Sequence, residues 1–549
     1  MGEKTSHQNI ANYLAAAQSE YPDETAIISA KHGQFKSRSF KQLHKEVTLC
    51  STYFKSKGIS KGDSVLLAVK PGYQLILIAF ALFHLGAVPV IIDPGMGTKA
   101  FLKCVQNTRP IALVGIPLIH ILSKLFPRAF RSVKKTVSVN QNTFISKINQ
   151  CKLEQIENPA PSSSDELAAI VFTSGSTGIP KGVCYTHQIF NAQIAHLKTD
   201  FGLTKGENDL ATLPIFALFN PALGITSVIP EMNPRKPASA DPRKLVQAMQ
   251  KYEINTAFAS PIIGGKICSF CESNNISLPL VKRLLLAGAP TNPILIKNLS
   301  KFIPNGQVIL PYGATEALPL SATNQTQVGQ LEHSISFGKG ACLGKPLNGN
   351  AIKIMPISMS PFESGKNCPK ELKRGEIGEI CASGAVVSKK YYRMPGATCD
   401  SKFNDGKNYF HRMGDLGYYD ENGLLRFMGR KVERVITIDG PLETERCEPL
   451  VNSMKNISRS ALIGIGNGKV KEPCLVVELK KDNMISFETL RTNILKELNF
   501  HLPKFTFRFV VLEKSLPVDS RHNAKIHRLS LAKKWTRKIE KQPSLFTQT

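Results

Sequence analysis

The sequence predicts an α/β fold, with a large N-terminal domain of α/β layers that includes a β-rich subdomain and a small α+β C-terminal domain. Three observations predict it. The first half alternates helical and strand patterns, the stretch from about Gly338 reads as short strands separated by turns, and after Gly429-Arg430 a smaller unit of strands and one helix begins. At 549 residues, 42% hydrophobic and 20% charged, the chain is long enough for two or more domains with substantial cores. The boundary falls at residues 429–433, which divides the chain into 1–429 and 430–549.

Taken in order, residues 40–57 read as a helix, 64–68 as a strand, 75–85 as a second helix and 87–92 as a strand. Such alternation argues for a mainly parallel sheet, in which ligands sit beyond the carboxyl ends of the strands. Segments 167–172, 254–260 and 284–287 are short apolar runs ending in small or turn residues, the pattern of buried strands opening on loops. Short strands follow at 352–355, 378–382 and 424–428. In the last unit, strands are expected at 460–465, 474–479 and 508–512, with a helix at 487–498.

The formal net charge of +28 is spread along the chain, so it reads as a bias towards anionic partners and not as a nucleic-acid site. The densest basic patch, 525–541, holds the single tryptophan, Trp535, and reads as a solvated helix face. No secretory signal or membrane span is expected. The most hydrophobic run, 75–92, is broken by His84, Gly86 and Pro89 and suits a buried helix leading into a strand. Twelve cysteines scattered over a long chain suit reduced thiols in a cytoplasmic protein. Cys268 and Cys271 form one C-x-x-C, but without a second pair nearby they read as two thiols on one helix and not as a zinc site.

The most telling segment is Thr173-Ser174-Gly175-Ser176-Thr177-Gly178-Ile179-Pro180-Lys181-Gly182. Its glycines let backbone N–H groups approach an anion, its hydroxyls add donors and Lys181 adds a cation, which suits a polyphosphate. It is not a P-loop, because Lys181 is followed by Gly182 and not by a hydroxyl residue that can ligate Mg2+. The segment resembles the signature loop of the AMP-forming adenylating enzymes, which include acyl-CoA synthetases, luciferases and peptide-synthetase adenylation domains. A second segment, Pro311-Tyr312-Gly313-Ala314-Thr315-Glu316, follows an apolar strand at 308–310. It offers an aromatic face for a base, a hydroxyl for phosphate and a carboxylate for Mg2+, and the family carries it in the same order.

The resemblance extends over essentially the whole chain and assigns further roles. It implies that Thr173, Ser174, Gly175, Ser176, Thr177, Gly178 and Lys181 bind ATP phosphates, that Gly288-Ala289-Pro290 lines the adenine pocket with Tyr312 and Gly313, and that Asp415 grips the ribose hydroxyls. It places Arg430 near ribose or phosphate where the small, mobile domain begins. After Arg430 the match loosens, with Lys431-Val432-Glu433-Arg434 in place of the usual Lys-Asp pair. By alignment of Leu516-Pro517 through Asn523-Ala524-Lys525, Lys525 is the catalytic lysine, a cation bridging the attacking carboxylate and the α-phosphate; Thr315 and Glu316 complete the catalytic set, with Glu316 as the metal residue. The implied cofactors are ATP and Mg2+. A binding protein that keeps the fold without turnover disagrees with the presence of Lys181, Glu316, Asp415 and Lys525.

The acceptor of the activated acyl group is read from departures. Many acyl-CoA synthetases place a His after the aromatic residue of the segment matching Leu213-Pro214-Ile215-Phe216, whereas this chain has Ala217. The strings Asp93-Pro94-Gly95-Met96-Gly97, Leu213-Pro214-Ile215-Phe216-Ala217-Leu218-Phe219-Asn220-Pro221-Ala222-Leu223-Gly224, Gly313-Ala314-Thr315-Glu316-Ala317-Leu318-Pro319 and Arg521-His522-Asn523-Ala524-Lys525 resemble the β-lactone synthetases of bacterial long-chain olefin biosynthesis. That resemblance implies a 2-alkyl-3-hydroxy fatty acid substrate whose own hydroxyl closes the ring, with proximity contributing on the order of 7–11 kcal/mol. The alternative is a long-chain fatty acyl-CoA ligase or fatty acyl-AMP ligase. Phe216, Ala217 and Phe219 are candidates for the acyl wall, and equally read as core. His187, His411 and His522 are candidate proton acceptors, each also readable as structural. The resemblance further implies an assembly with other olefin-pathway enzymes, peripheral contact with an anionic membrane, and no nucleic acid.

Overall fold

The computed structural model describes residues 9–31, 34–140, 143–151, 158–173, 180–480, 485–519 and 525–541. Two sheets organise the larger part of the chain. Among the described residues a six-stranded sheet runs in the order Lys135–Ser138, Ala112–Gly115, Ser64–Ala68, Val88–Ile91, Leu167–Thr173, Lys181–Thr186, parallel except for its last pair. The central strands are buried on both faces, which is why they read as unbroken apolar runs.

The second, 14-stranded sheet has two halves. In one, Gln307–Ala314, Arg283–Leu286, Thr256–Ala259, Asn208–Ala211, Thr226–Ile229 and Thr25–Lys31 run parallel. In the other, the strands expected from about Gly338 are antiparallel, and they join the parallel half through Ala317–Asn324 and Ala341–Pro346. The β-rich region is thus hydrogen-bonded onto the large sheet.

One core is shared by the two sheets. The helix Tyr73–Leu85 lies at its centre, apolar all round because it is covered all round, and Ile76 to Phe83 are at most 2% exposed. The helix Phe40–Ser56 packs beside it, its start fixed by a capping box between Ser39 and Gln42. A second core lies under the helices Pro242–Lys251, Pro261–Asn274 and Pro293–Phe302, where Cys268 and Cys271 are buried thiols on one helix. Among the described residues no helix is long and apolar enough to cross a membrane.

The last strand of the large sheet, Leu425–Arg430, is followed by separate small sheets: a hairpin of Val435–Thr437 and Gly440–Leu442, then Ile457–Ile465, Glu472–Leu479 and Phe509–Leu512. The helix Phe487–His501 covers one face of the three-stranded sheet and Arg528–Lys541 the other. Trp535 is buried in that second face, while Lys533, Lys534, Arg537 and Lys538 point to solvent, as expected of an amphipathic helix.

Candidate active site

The candidate residues gather at the carboxyl ends of the parallel strands. Thr173 ends one strand and Lys181 begins the next, and the two are register partners in an antiparallel pair. Ser174, Gly175, Ser176, Thr177 and Gly178 lie outside the described residues. Gly288-Ala289-Pro290 follows the strand Arg283–Leu286, beside Gln307–Ala314.

The second motif departs from a simple strand-end loop. The strand Gln307–Ala314 runs through Pro311, Tyr312 and Gly313 and turns back at Thr315-Glu316 into Ala317–Asn324. Cross-strand pairing overrides the local Pro and Gly signals. Gly313 is required there, since a Cβ would sit 2.5 Å from the Ala317 carbonyl oxygen. The turn is tied from three directions: Tyr185 Oη donates to the Thr315 carbonyl at 2.6 Å, Ser388 N–H to the Glu316 carbonyl at 2.8 Å, and Tyr391 Oη to Glu316 Oε1 at 2.9 Å. Lys181 Nζ stands 5.0 Å from the Tyr391 ring centroid, which brings the two antiparallel pairs to one place.

On the other side, Asp415 and Arg430 are register partners on adjacent strands. Tyr312 Oη donates to Asp415 Oδ2 at 2.7 Å, and Arg430 Nη1 lies 3.0 Å from Asp415 Oδ1. Burial, and then Asp415, raises the Tyr312 pKa, so the phenol stays a donor; Asp415 in turn raises that of Arg430. Asp415 Oδ1 has no aligned hydrogen bond, and Thr173 Oγ1 and Thr291 Oγ1 are likewise buried without a partner among the described residues. Asp415 Oδ1 is ion-paired with Arg430, whereas the Thr173 and Thr291 hydroxyls are left to a ligand rich in hydroxyls and phosphate oxygens.

Lys525 faces this group from the C-terminal part. Its backbone N–H donates to Asp519 Oδ1 and its carbonyl accepts from Asp519 N–H, both at 3.0 Å, closing the loop whose residues 520–524, including His522, are outside the described residues. Arg528, three residues on, pairs with Glu433 at 2.9 Å and Glu448 at 2.6 Å and so fastens this arm to the segment after Arg430. Burial and the Arg430 charge lower the Lys525 pKa, against Asp519, Asp415 and Glu316. A cation beside those groups is suited to meet an anionic ligand.

An apolar cavity adjoins the hairpin, lined by Phe216, Phe219, Phe258, Leu285, Leu318 and Pro319 among others. Phe216 stacks on Phe258 with ring centroids 4.0 Å apart, while Ala217 is buried in the core behind it. Gln193 and Asp209 interrupt the apolar wall. Gln193 Nε2 donates to the Leu318 carbonyl at 2.9 Å, and its Oε1 is buried with no partner among the described residues. Asp209 accepts from Asn220 Nδ2 at 2.9 Å, and burial pushes its pKa up to about 6.

The histidines are structural in their contacts. His187 Nδ1 accepts from Ile10 N–H at 3.3 Å and burial lowers its pKa to about 4; His411 Nδ1 meets the Ser401 carbonyl at 3.1 Å and burial lowers its pKa well below the usual range. Sequence reasoning missed Tyr185, Tyr391, Gln193 and Lys402. Lys402 is buried, donates to the Ser388 carbonyl and has its pKa lowered to about 7, chiefly by burial. Its only sequence signal is a lysine in an otherwise unpatterned stretch.

The fold and the strand-end site define an AMP-forming ligase that activates a carboxylic acid with ATP. The chain belongs to the AMP-binding enzyme family, which it matches over residues 14–392. It is 35% identical to the olefin beta-lactone synthetase of Stenotrophomonas maltophilia (strain K279a), over 97% of this chain and 99% of that protein. It is also 35% identical to the olefin beta-lactone synthetase of Xanthomonas campestris pv. campestris, over 97% and 98% respectively. Its fold is similar to that of ATP-bound MatB from Rhodopseudomonas palustris, with a TM-score of 0.80 at 20% identity over 96% of this chain and 99% of that one.

Proposed function

We propose that the protein converts a 2-alkyl-3-hydroxy fatty acid to a β-lactone. The carboxylate attacks the α-phosphorus of ATP and pyrophosphate leaves; the 3-hydroxyl oxygen then attacks the acyl carbon, its proton is lost and AMP leaves, closing a four-membered ring. The observation that carries this reading is Gln193, which lines the apolar cavity beside the Thr315-Glu316 turn and whose Oε1 is buried without a partner among the described residues. A plain alkyl chain leaves that acceptor unsatisfied, whereas a hydroxylated acyl group gives it a donor. The names of the two 35% identical relatives support the same reading.

In this reading Lys525 bridges the carboxylate and the α-phosphate, Thr173 to Gly178 and Lys181 hold the phosphates, Thr315 donates to them, and Asp415 and Arg430 hold the ribose. Gly288-Ala289-Pro290 and Tyr312-Gly313 flank the base, and Phe216, Ala217 and Phe219 shape the acyl site. Glu316, with one oxygen held by Tyr391 and the other free of hydrogen bonds from described residues, would hold Mg2+. Among the described residues there is no cluster of three acidic, His or Cys side chains, so in this reading the phosphates would complete the coordination. The ion would neutralise charge on the phosphates. Residues 1–429 form the nucleotide and acyl domain and 430–549 the mobile small domain. Work beside other olefin-pathway enzymes, in the cytoplasm and at an anionic membrane surface, belongs to the same proposal.

The test is incubation with a 2-alkyl-3-hydroxy fatty acid, ATP and Mg2+, with and without coenzyme A. A lactone in both tubes is expected. A thioester that appears only with coenzyme A, and no lactone in either tube, sinks the reading in favour of an acyl-CoA ligase.

A further inference from the structure

From residue 94 to residue 153 the sequence contains basic side chains and not one Asp or Glu. Within this stretch lies the helix Pro117–Leu125, which follows the strand Ala112–Gly115 near the edge of the six-stranded sheet. Its inner side is well anchored. Ile119 is buried against Gly115, where an added Cβ would lie 2.4 Å from Ile119 Cγ2, and His120 Nε2 reaches the carbonyls of Gly115 and Val137, both at 3.2 Å.

Its outer side is apolar where a solvated helix would be polar. Leu118 is 68% exposed, Ile121 56% and Leu125 68%, and Phe126 just beyond the helix is 41% exposed. At about 100° per residue the first three project within an arc of about 60°, so they form one ridge. Lys124, Arg128, Arg131 and Lys134, all exposed, follow in the helix and the turn after it. A lone exposed leucine needs no explanation, but an apolar ridge with an all-basic rim does.

We propose that this ridge docks the protein on an anionic lipid bilayer, Leu118, Ile121, Leu125 and Phe126 entering the headgroup boundary and the basic rim contacting the anionic headgroups. The charge decides the occupant: a second copy of this chain would bring the same basic rim against itself, whereas an anionic bilayer offers both the apolar depth and the opposite charge. The docking surface deepens the lipid-substrate reading above and rests on it for its purpose, because a branched long-chain acid resides in membranes.

The experiment is co-sedimentation of the full chain with vesicles of phosphatidylcholine alone or with phosphatidylglycerol added. Three proteins are compared: the parent, the triple variant L118S/I121S/L125S and the charge variant K124E/R128E/R131E. Binding to the anionic vesicles that weakens with salt, and a bound fraction lower by about tenfold in each variant, is expected. The proposal is overturned if the parent stays in the supernatant, if either variant binds as well as the parent, or if the ridge instead supports a dimer that the triple variant converts to monomer without vesicles. Melting temperature checks that the variants fold. Lactone formation from detergent-dispersed acid is measured in parallel, so that a failure of docking and a failure of the proposed reaction give different results.

Discussion

The two sides of the site are built on different principles. On the proposed nucleotide side most of the polar side chains are tied to another group: Tyr312 to Asp415, Asp415 to Arg430, Tyr391 to Glu316, Tyr185 to the Thr315 carbonyl, with the Thr173 and Thr291 hydroxyls left unpartnered among the described residues. On the proposed acyl side the wall is shape, made by Phe216, Phe219, Phe258 and Leu318, with Gln193 Oε1 an acceptor that has no partner among the described residues. The difference teaches where selectivity resides. A preorganised polar frame binds what all members of such an enzyme class share, and a cavity that differs in one or two polar atoms decides which acid is activated.

The contrast breaks most sharply at Lys525, which serves the nucleotide side from the C-terminal part. Lys525→Ala is expected to lower acid-dependent pyrophosphate release by about 10²- to 10³-fold, the effect of losing one preorganised charge at a reacting centre. Retention of full activity refutes its assignment. Next comes Asp415→Ala, which removes the partner of both Tyr312 and Arg430. Loss of a charged hydrogen-bonding group costs about 1.5–3 kcal/mol, so KM for ATP should rise roughly 10- to 100-fold while the preference among acids is unchanged.

Gln193→Leu probes the other side. Removing the acceptor while keeping the volume should reduce kcat/KM for a 3-hydroxy acid by about tenfold and leave the unhydroxylated acid unaffected or improved, with KM for ATP constant. Equal losses on both acids would show that Gln193 supports only the fold.

The smallest effect is on stability. Asp209 has its pKa raised by burial to about 6 from a usual value of 3.8, so the folded protein favours its neutral form. Its contribution is therefore fully present below about pH 3.8 and is lost as pH rises through about 6, at most about 3 kcal/mol. Asp209→Asn removes this pH dependence and should raise the melting temperature by a few degrees at pH 8, and by less at pH 5. An equal shift at both pH values would place the cause elsewhere.

The elements that the sequence reading named largely agree with the structure. The strand Ser64–Ala68 has the expected bounds, and the helices Phe40–Ser56 and Tyr73–Leu85 and the strand Phe509–Leu512 fall within two residues of expectation, because their periodicity reports burial directly. The strand Gln307–Ala314 was legible only up to Leu310, since Pro311 and Gly313 signal a break that pairing with Ala317–Asn324 overrides. The residues proposed for the nucleotide could be named from sequence because they sit in contiguous strings. Tyr185, Gln193, Tyr391 and Lys402 could not, since each reaches the site from a different segment and none has a neighbour that marks it.

The sequence by itself determined the α/β class, the reading of carboxylate activation and the strings proposed to handle ATP, because strand periodicity and loop chemistry are local properties. Only the tertiary structure decided that Thr315-Glu316 is a turn held by Tyr185 and Tyr391, that Asp415 meets both Tyr312 and Arg430, and that Gln193, whose Oε1 is buried without a partner among the described residues, lines the apolar cavity. It alone also decided that Leu118, Ile121 and Leu125 face outward, although their spacing suits a buried face equally well. The physical reason is the same in each case: hydrogen-bond satisfaction and exposure depend on what lies across the fold, and a linear string of residues does not say which segment that is.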